Sequence, residues 1–463
     1  MARAIAQLLP VEMAVLGLFE FALSFALIFV MLTAGGPSIL LDSTNLSRDC
    51  AVLAGMLAVT IAATAITIGL YRPEVCFDRR RFLSSATIAA LLAFPAILLV
   101  GAAYHMTLSG GYVVWLAAVM TAWLLFVMAI RYAVSLIAPY MPVTRRVLIL
   151  GSGPRAARLR GRLAAKSQVL YEPVTYDAQT ALASGLSAGF LRDRRVWGIV
   201  IAGDERDAPG SDGVLSQRTT NDVLLDSKLR GVPVYSDIAF QERHLGRVDL
   251  DGVDSNWLLL SDGFKTSGLG RGFKRVCDIF IGVILTIATL PLMLLTAAAI
   301  KLDSPGPVLY RQVRTGLLGK SFILFKFRSM TANAEAGGKA IWAEKRDPRV
   351  TRVGRFIRAT RIDELPQLLN VMRGEMSMIG PRPERPIFVE QLVQVIPFYN
   401  HRSYVKPGLT GWAQVNFPYG ASIEDAREKL AYDLYYVKNR GLLLDFIILL
   451  STVRVILFRE GAR

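Results

Sequence analysis

Histidine and cysteine are scarce in this 463-residue chain, with three of each. Cys50, Cys76 and Cys277 lie far apart, as do His105, His244 and His401. That scatter matches no disulfide framework and argues against a zinc site. Acidic residues are also few, 37 against 53 Lys and Arg, leaving a net charge of +16. Such a surplus suits nucleic acid, anionic lipid or phosphorylated substrates. Charge of either sign is thin, however, at 19% of residues against 53% hydrophobic. Those proportions describe membrane spans joined to polar domains, and they favour headgroups and diphosphates over nucleic acid. The length allows two or three domains.

Four apolar stretches, near Leu16–Ala34, Ala51–Tyr71, Phe82–Tyr104 and Tyr112–Ile137, are each long enough for a helix of about 20 residues to cross a bilayer. The first carries Glu20, follows Arg3 and Glu12, and has no small-residue cleavage site, so it reads as a retained span rather than a signal peptide. Arg72, Arg79, Arg80 and Arg81 lie between the second and third spans, and Arg145 and Arg146 follow the fourth. The link between the third and fourth has no Lys or Arg, and the first link has only Arg48. By the positive-inside rule both ends of this bundle, residues 1–143, are expected in the cytosol.

Residues 144–268 alternate strand-like and helical runs. Arg146–Leu150 is a short apolar strand, followed by Gly151-Ser152-Gly153-Pro154-Arg155-Ala156 and an Ala/Arg/Leu-rich helix. Val196–Ala202 and Val232–Tyr235 read as further strands. A G-x-G-x-x-A turn in this context predicts a Rossmann-like domain, whose glycines would let a pyrophosphate approach the helix N-terminus. Asp177 is the candidate partner for a ribose hydroxyl. The same turn can equally be architectural, and no hydride chemistry follows it in the sequence.

The apolar run Ile279–Ile300 is long enough to span, yet it contains Pro291 and is basic on both flanks: Arg271, Lys274 and Arg275 before it, Lys301, Arg311 and Arg314 after it. A helix broken near 291 that enters and leaves by one face, near residues 277–300, satisfies both flanks. The last apolar run, Leu442–Phe458, contains Asp445 and Arg454 and is expected to pack on the domain or lie in the interface.

Site chemistry concentrates in Asp347–Pro386. Asp363 and Glu364 are adjacent and precede Pro366, a residue favoured at the first position of a helix. A helix beginning there would put both acids at its mouth, where anions are favoured. Neighbouring side chains diverge, so one carboxylate can meet substrate while the other holds a metal. Arg349, Arg352, Arg355, Arg358 and Arg361 recur every third residue upstream, Arg382 follows in Gly380-Pro381-Arg382-Pro383-Glu384, and Lys326 and Arg328 stand in FKFRSM. Arginine forks match phosphate oxygens; part of the series can also face lipid headgroups.

KRVCDI (Lys274–Ile279), DSPGPVLYRQVRTG (Asp303–Gly316), FKFRSM (Phe325–Met330), RIDELPQLLNVMRGEMSMIGPRP (Arg361–Pro383), KPGLTGWAQVN (Lys406–Asn416) and YDLYYVKN (Tyr432–Asn439) closely resemble the bacterial sugar transferases that initiate exopolysaccharides, the monotopic phosphoglycosyl transferases. The leading spans and the middle domain resemble the large form of that family, and Leu229–Phe264 resembles its exopolysaccharide-export subgroup. The resemblance implies a four-helix transmembrane bundle, a Rossmann-like middle domain and a cytosolic α/β catalytic domain (269–463) anchored by a re-entrant helix, in the bacterial inner membrane. It implies a UDP-sugar donor, undecaprenyl phosphate as acceptor, Mg²⁺, and covalent catalysis led by Asp363. Glu364 is then the magnesium ligand; Arg382 and Arg328 are the expected phosphate contacts, with Arg352 a further candidate and Glu384 in support. Membrane lipid is an expected partner and nucleic acid is not; the oligomeric state stays open, a homodimer included. A membrane-bound nucleotide-sugar dehydratase or epimerase would carry Tyr-x-x-x-Lys, and no tyrosine here has lysine four positions on. An inactive scaffold of the same fold is the other alternative, which the intact acid pair disfavours.

Overall fold

The computed structural model describes residues 11–35, 46–71, 75, 79–103, 110–137, 145–151, 153–166, 171–176, 191, 194–202, 214–253, 264, 268–331, 349–417, 420 and 422–457. They group into two compact units, one ending at Leu245 and the other starting at Gly246. Cys76, His105, Ser152, Asp177 and Asp347 lie outside the described residues.

The first unit opens with four helices, α1 (Val11–Gly35), α2 (Leu46–Ile68), α3 (Arg79–Ala103) and α4 (Gly110–Ile137). In three of them a stretch is long and apolar enough to cross a membrane, Val15–Ala34, Cys50–Ile68 and Val113–Ile130; the apolar part of α3, Ser85–Leu98, is shorter. Small residues let helices approach closely where lipid supplies no hydrophobic drive. Ala54, Ala58 and Ala65 on α2, and Ala86, Ala89 and Ala93 on α3, are fully buried for that reason. Leu18, Phe19, Val114 and Leu125 face outward.

The same unit continues with β1 (Arg145–Leu150), α5 (Pro154–Lys166), β2 (Tyr171–Tyr176), β3 (Val196–Ile201), α6 (Val214–Leu229), β4 (Val234–Ser236) and α7 (Asp237–Phe240). The strands form one parallel sheet in the order β2-β1-β3-β4. Val147, Ile149 and Val200 pack on one face with Ala156, Leu159 and Leu163 of α5; Leu148, Leu150 and Ile199 pack on the other with Leu224 of α6. Helices on both faces explain why β1 and β3 read as unbroken apolar runs. The sequence did not disclose β2. Glu172 and Pro173 interrupt its apolar pattern, which is tolerated because β2 is the edge strand.

The second unit carries α8 (Gly268–Asp303), the hairpin β5 (Leu309–Thr315) and β6 (Ser321–Phe327), α9 (Arg352–Ala359), the 3-10 turn Ile362–Gln367, α10 (Leu368–Arg373), β7 (Ser377–Ile379), α11 (Pro386–Val395), the 3-10 turn Tyr399–Tyr404, β8 (Gly408–Thr410), α12 (Trp412–Asn416), α13 (Ile423–Asn439) and α14 (Leu442–Leu457). α8 is one helical element with Pro291 inside it. Its buried residues are Asp278, Gly282, Thr296 and Ile300, while Phe280, Ile287, Leu294 and Leu295 are exposed. Asp278 accepts from Ser377 Oγ and Met378 N, both at 3.0 Å, and Ile300 packs with Phe327 and Ile357. Asn370 serves β6: its Oδ1 accepts from Phe325 N at 3.1 Å and its Nδ2 donates to Ile323 O at 2.7 Å. α14 buries Leu444, Ile447 and Ile448 within this unit, as expected for the last apolar run.

Candidate active site

The two acids sit in the first turn of the 3-10 segment Ile362–Gln367, which begins upstream of Pro366. The expected helix mouth is therefore present, but Arg361, not the proline, opens it. Arg361 holds a left-handed conformation (φ 61°) that turns the chain sharply out of α9. For a residue with a Cβ this conformation is strained, and strain of this kind clusters at functional sites.

The acids are treated differently by their surroundings. Glu364 Oε1 accepts from Arg382 Nη2 at 2.7 Å and Lys326 Nζ at 3.1 Å, with Arg361 Nη1 at 3.8 Å. Burial alone would raise its pKa, but Arg382 and Lys326 outweigh that and hold it well below the usual carboxylate range. Asp363 is also buried, yet its carboxylate takes no hydrogen bond from the described residues. Desolvation pushes its pKa up to about 6, against the pull of Lys326 and with the push of Glu364. Lys326 is lowered by burial, with Glu364 opposing.

Arg382 is held from several sides. Its Nη1 donates to Gln414 Oε1 at 3.3 Å, and its backbone carbonyl accepts from Arg402 Nη2 at 2.9 Å. Arg402 in turn donates to Tyr399 Oη at 2.7 Å and pairs with buried Asp433 at 2.8 Å. Close backbone contact between the ends of β7 and β8 makes this arrangement possible. A Cβ on Gly380 would collide with Lys406 O, one on Gly408 with Gly380 N, and one on Gly411 with Gly380 O. Glu384 stands behind Arg382: its carbonyl accepts from Thr315 N at 2.9 Å, and its carboxylate lies 3.8 Å from Arg314.

Arg328, an expected phosphate contact, is engaged with the chain beyond α8 in the structure. Its Nη1 donates to Pro305 O at 2.7 Å, and its Nη2 donates to Ser304 O at 2.7 Å and Ser304 Oγ at 3.0 Å. The side chain is buried and its fork donates to carbonyls just beyond the C-terminus of α8, where it braces that helix end. Arg352 is exposed at the start of α9 and is not among the groups around Glu364. Lys326, Gln414, Arg402 and Asp433 complete the site. The first was visible only as part of a basic pair, and the others had no local signal.

Magnesium that arrives with a diphosphate needs only one or two protein carboxylates. No group of three or more His, Cys, Asp or Glu residues converges among the described residues. Asp363 and the second oxygen of Glu364 are free of hydrogen bonds there, so hard oxygen donors are available. The surrounding cations favour a metal that comes with phosphate charge. The donor set therefore fits Mg²⁺ in that form.

Buried adjacent carboxylates ringed by lysine and arginine, on a unit that carries a long apolar helix, define a site for anionic substrate at a membrane. Residues 269–459 match the bacterial sugar transferase family. The chain is 47% identical over 235 residues to the UDP-N-acetylgalactosamine-undecaprenyl-phosphate N-acetylgalactosaminephosphotransferase of Aeromonas hydrophila, covering 51% of this chain and 55% of that protein. It is 34% identical to the undecaprenyl-phosphate glucose phosphotransferase of Komagataeibacter xylinus, covering 73% of this chain and 66% of the relative. It is 46% identical over 191 residues to the UDP-glucose:undecaprenyl-phosphate glucose-1-phosphate transferase of Caulobacter vibrioides, covering 41% of this chain and 71% of the relative. The chain belongs to the bacterial sugar transferase family. It spans between about half and two thirds of the length of the first two relatives.

Proposed function

We propose that this protein transfers a sugar-1-phosphate from a UDP-sugar to undecaprenyl phosphate, releasing UMP, as the first membrane step of an exopolysaccharide or related glycan. The observation that carries the mechanism is the division of labour between neighbours: Glu364 is fixed by Arg382 and Lys326, while Asp363 takes no hydrogen bond from the described residues. A nucleophile needs an unengaged lone pair, and a carboxylate needs no general base. Asp363 attacks the phosphorus that bears the sugar. The bond from that phosphorus to UMP breaks, and UMP leaves with the electron pair. An oxygen of undecaprenyl phosphate then attacks the same phosphorus and frees Asp363. Arg382 and Lys326 neutralise the diphosphate. Magnesium, held by Glu364, would supply further charge neutralisation for the departing phosphate.

The same reading makes α8 a re-entrant anchor. From Asp278 to Ile300 a straight helix would advance about 33 Å, comparable to the hydrocarbon core of about 30 Å. Yet residues near both ends pack on one polar unit. A crossing helix would force that unit through the bilayer, whereas a helix that enters and returns leaves it on the cytosolic face of the inner membrane. Single cysteines at Gly268 and Gly316, in a background lacking the native three, should be labelled by an impermeant reagent from the same side. Labelling from opposite sides would exclude the hairpin. In the first unit, the parallel strand order and the succession of β1 and α5 support a Rossmann-like reading.

UMP release by purified protein with undecaprenyl phosphate and a panel of UDP-sugars, including UDP-glucose and UDP-N-acetylgalactosamine, tests the function. The expected result is turnover with at least one donor. No UMP from any donor would leave the scaffold alternative standing.

A further inference from the structure

The unit that carries the site starts at Gly246, well upstream of the family match at residue 269. Residues Gly246–Val253 form a strap within it. Val248, Asp249, Arg247 and Leu250 are buried, and Val248 N donates to Ala431 O of α13 at 3.0 Å. Arg247 grips Glu428 of α13 with two hydrogen bonds, one of 2.9 Å from Nη2, and its guanidinium stands 5.5 Å from the Tyr432 ring centroid. Arg427 pairs with Asp251. Gly246 O accepts from Trp412 Nε1, the first residue of α12, at 2.7 Å. Gly246 has φ +62°, and a Cβ there would lie 3.0 Å from the Trp412 ring, so this contact demands glycine.

The strap thus touches the two helices that fix Arg382. α12 supplies Gln414, which accepts from Arg382. α13 supplies Asp433, next to Tyr432, which pairs with the Arg402 that holds the Arg382 carbonyl. Nothing in the proposed chemistry uses residues 246–253, yet burying an arginine with a bidentate carboxylate partner is costly unless the geometry is well made.

We propose that Gly246–Val253 is a positioning strap of the transferase site, in which Arg247 and Gly246 act through α12 and α13 to aim Arg382 at the donor diphosphate. This rests on the transferase reading above, and the experiment separates the two. In the full-length chain, Arg247→Met and Gln414→Ala are each expected to lower kcat/KM for the UDP-sugar about tenfold. The double variant should lose about the same tenfold, because both changes release one element. A hundredfold, multiplicative loss, or wild-type activity in Arg247→Met, overturns the strap. Trp412→Phe removes the bond to Gly246 O together with the indole edge that packs on Gly246, while leaving the Arg247–Glu428 pair in place; it guards against misfolding of the arginine variant and should lose threefold or more. Hydrogen exchange gives an activity-independent arm: amides of Gly411–Asn416 should exchange faster in Arg247→Met and Trp412→Phe than in wild type. Unchanged exchange there overturns the strap even if wild type proves inactive, an outcome that would by itself count only against the transferase reading.

Discussion

The parallel-sheet region of the first unit and the transferase unit both pair glycines with arginines, but only in the second do the described residues bring an arginine onto a buried acid. In the sheet region, Gly151 and Gly153 lead into α5, whose Arg158 and Arg160 are exposed. In the transferase unit, Gly380, Gly408 and Gly411 allow backbones to touch, and the arginine they position, Arg382, ends on a buried carboxylate. Density of positive charge is therefore not the same as convergence: only in the second do two half-buried cations, Arg382 and Lys326, meet on one buried acid. Exposed basic side chains are screened by water and salt, whereas the same charges beside buried Glu364 keep their reach.

The largest effect expected from this contrast is at Asp363. Asp363→Asn keeps the volume and removes the nucleophile, so turnover should fall at least about a thousandfold. Wild type given UDP-sugar alone should release one UMP per site and gain the mass of a sugar phosphate; the variant should do neither while still binding donor. Adduct mapped to Glu364 would reverse the two roles. Next come the arginines. Arg382→Met should cost roughly a hundredfold in rate, the scale of one lost electrostatic donor, with little change in Tm. Arg328→Met should do the reverse, costing on the order of 3 kcal/mol of stability through unsatisfied carbonyls. Equal kinetic loss in both would place Arg328 at the phosphate as well. Smaller still is Gly153→Val, which can harm the sheet yet should leave turnover per folded protein within about twofold, a change worth only ~0.4 kcal/mol at the barrier. NAD bound stoichiometrically, or turnover dependent on it, would make the sheet region a second site after all.

What could be read in advance follows the range of the forces involved. Three of the four expected spans, the apolar helix α8 and the succession of β1 and α5 were legible because hydropathy and glycine placement are local. The Asp363-Glu364 pair was legible because two acids in one helical turn are local too. The partners of Arg328 were not legible, because the carbonyls it meets belong to residues 304 and 305, remote in sequence. Arg402 and Gln414 meet Arg382, and Asp433 meets Arg402, only after β7 and β8 pair, and the strap at Gly246 depends on Trp412, 166 positions on. β2 was hidden by Pro173, whose cost disappears at a sheet edge. Burial of both carboxylates is likewise a tertiary fact, and from it comes a contrast no sequence pattern could supply.

That contrast gives the smallest prediction, in stability rather than rate. Asp363 has its folded pKa raised from 3.8 to about 6 by desolvation. Through that window the folded protein keeps a proton that the unfolded chain has released, so its stability falls as pH rises. At neutral pH the ionised carboxylate is a liability, and Asp363→Asn should raise Tm by roughly 2–4 °C for each kcal/mol relieved. The gap should close as the pH is lowered from 7.5 to 4, measured by thermal unfolding without added divalent cation. Glu364 has the opposite sign. Its folded pKa is depressed, so its charge stabilises the fold above the unfolded value and that contribution is lost on acidification. Glu364→Gln should therefore lower Tm at pH 7.5, and its deficit should shrink in acid. Two adjacent, near-isosteric substitutions with opposite effects on Tm would show that Lys326 and Arg382 serve one acid and leave its neighbour exposed to the cost of burial. Shifts of the same sign would mean that the cations are shared, and that the division of labour between Asp363 and Glu364 does not hold.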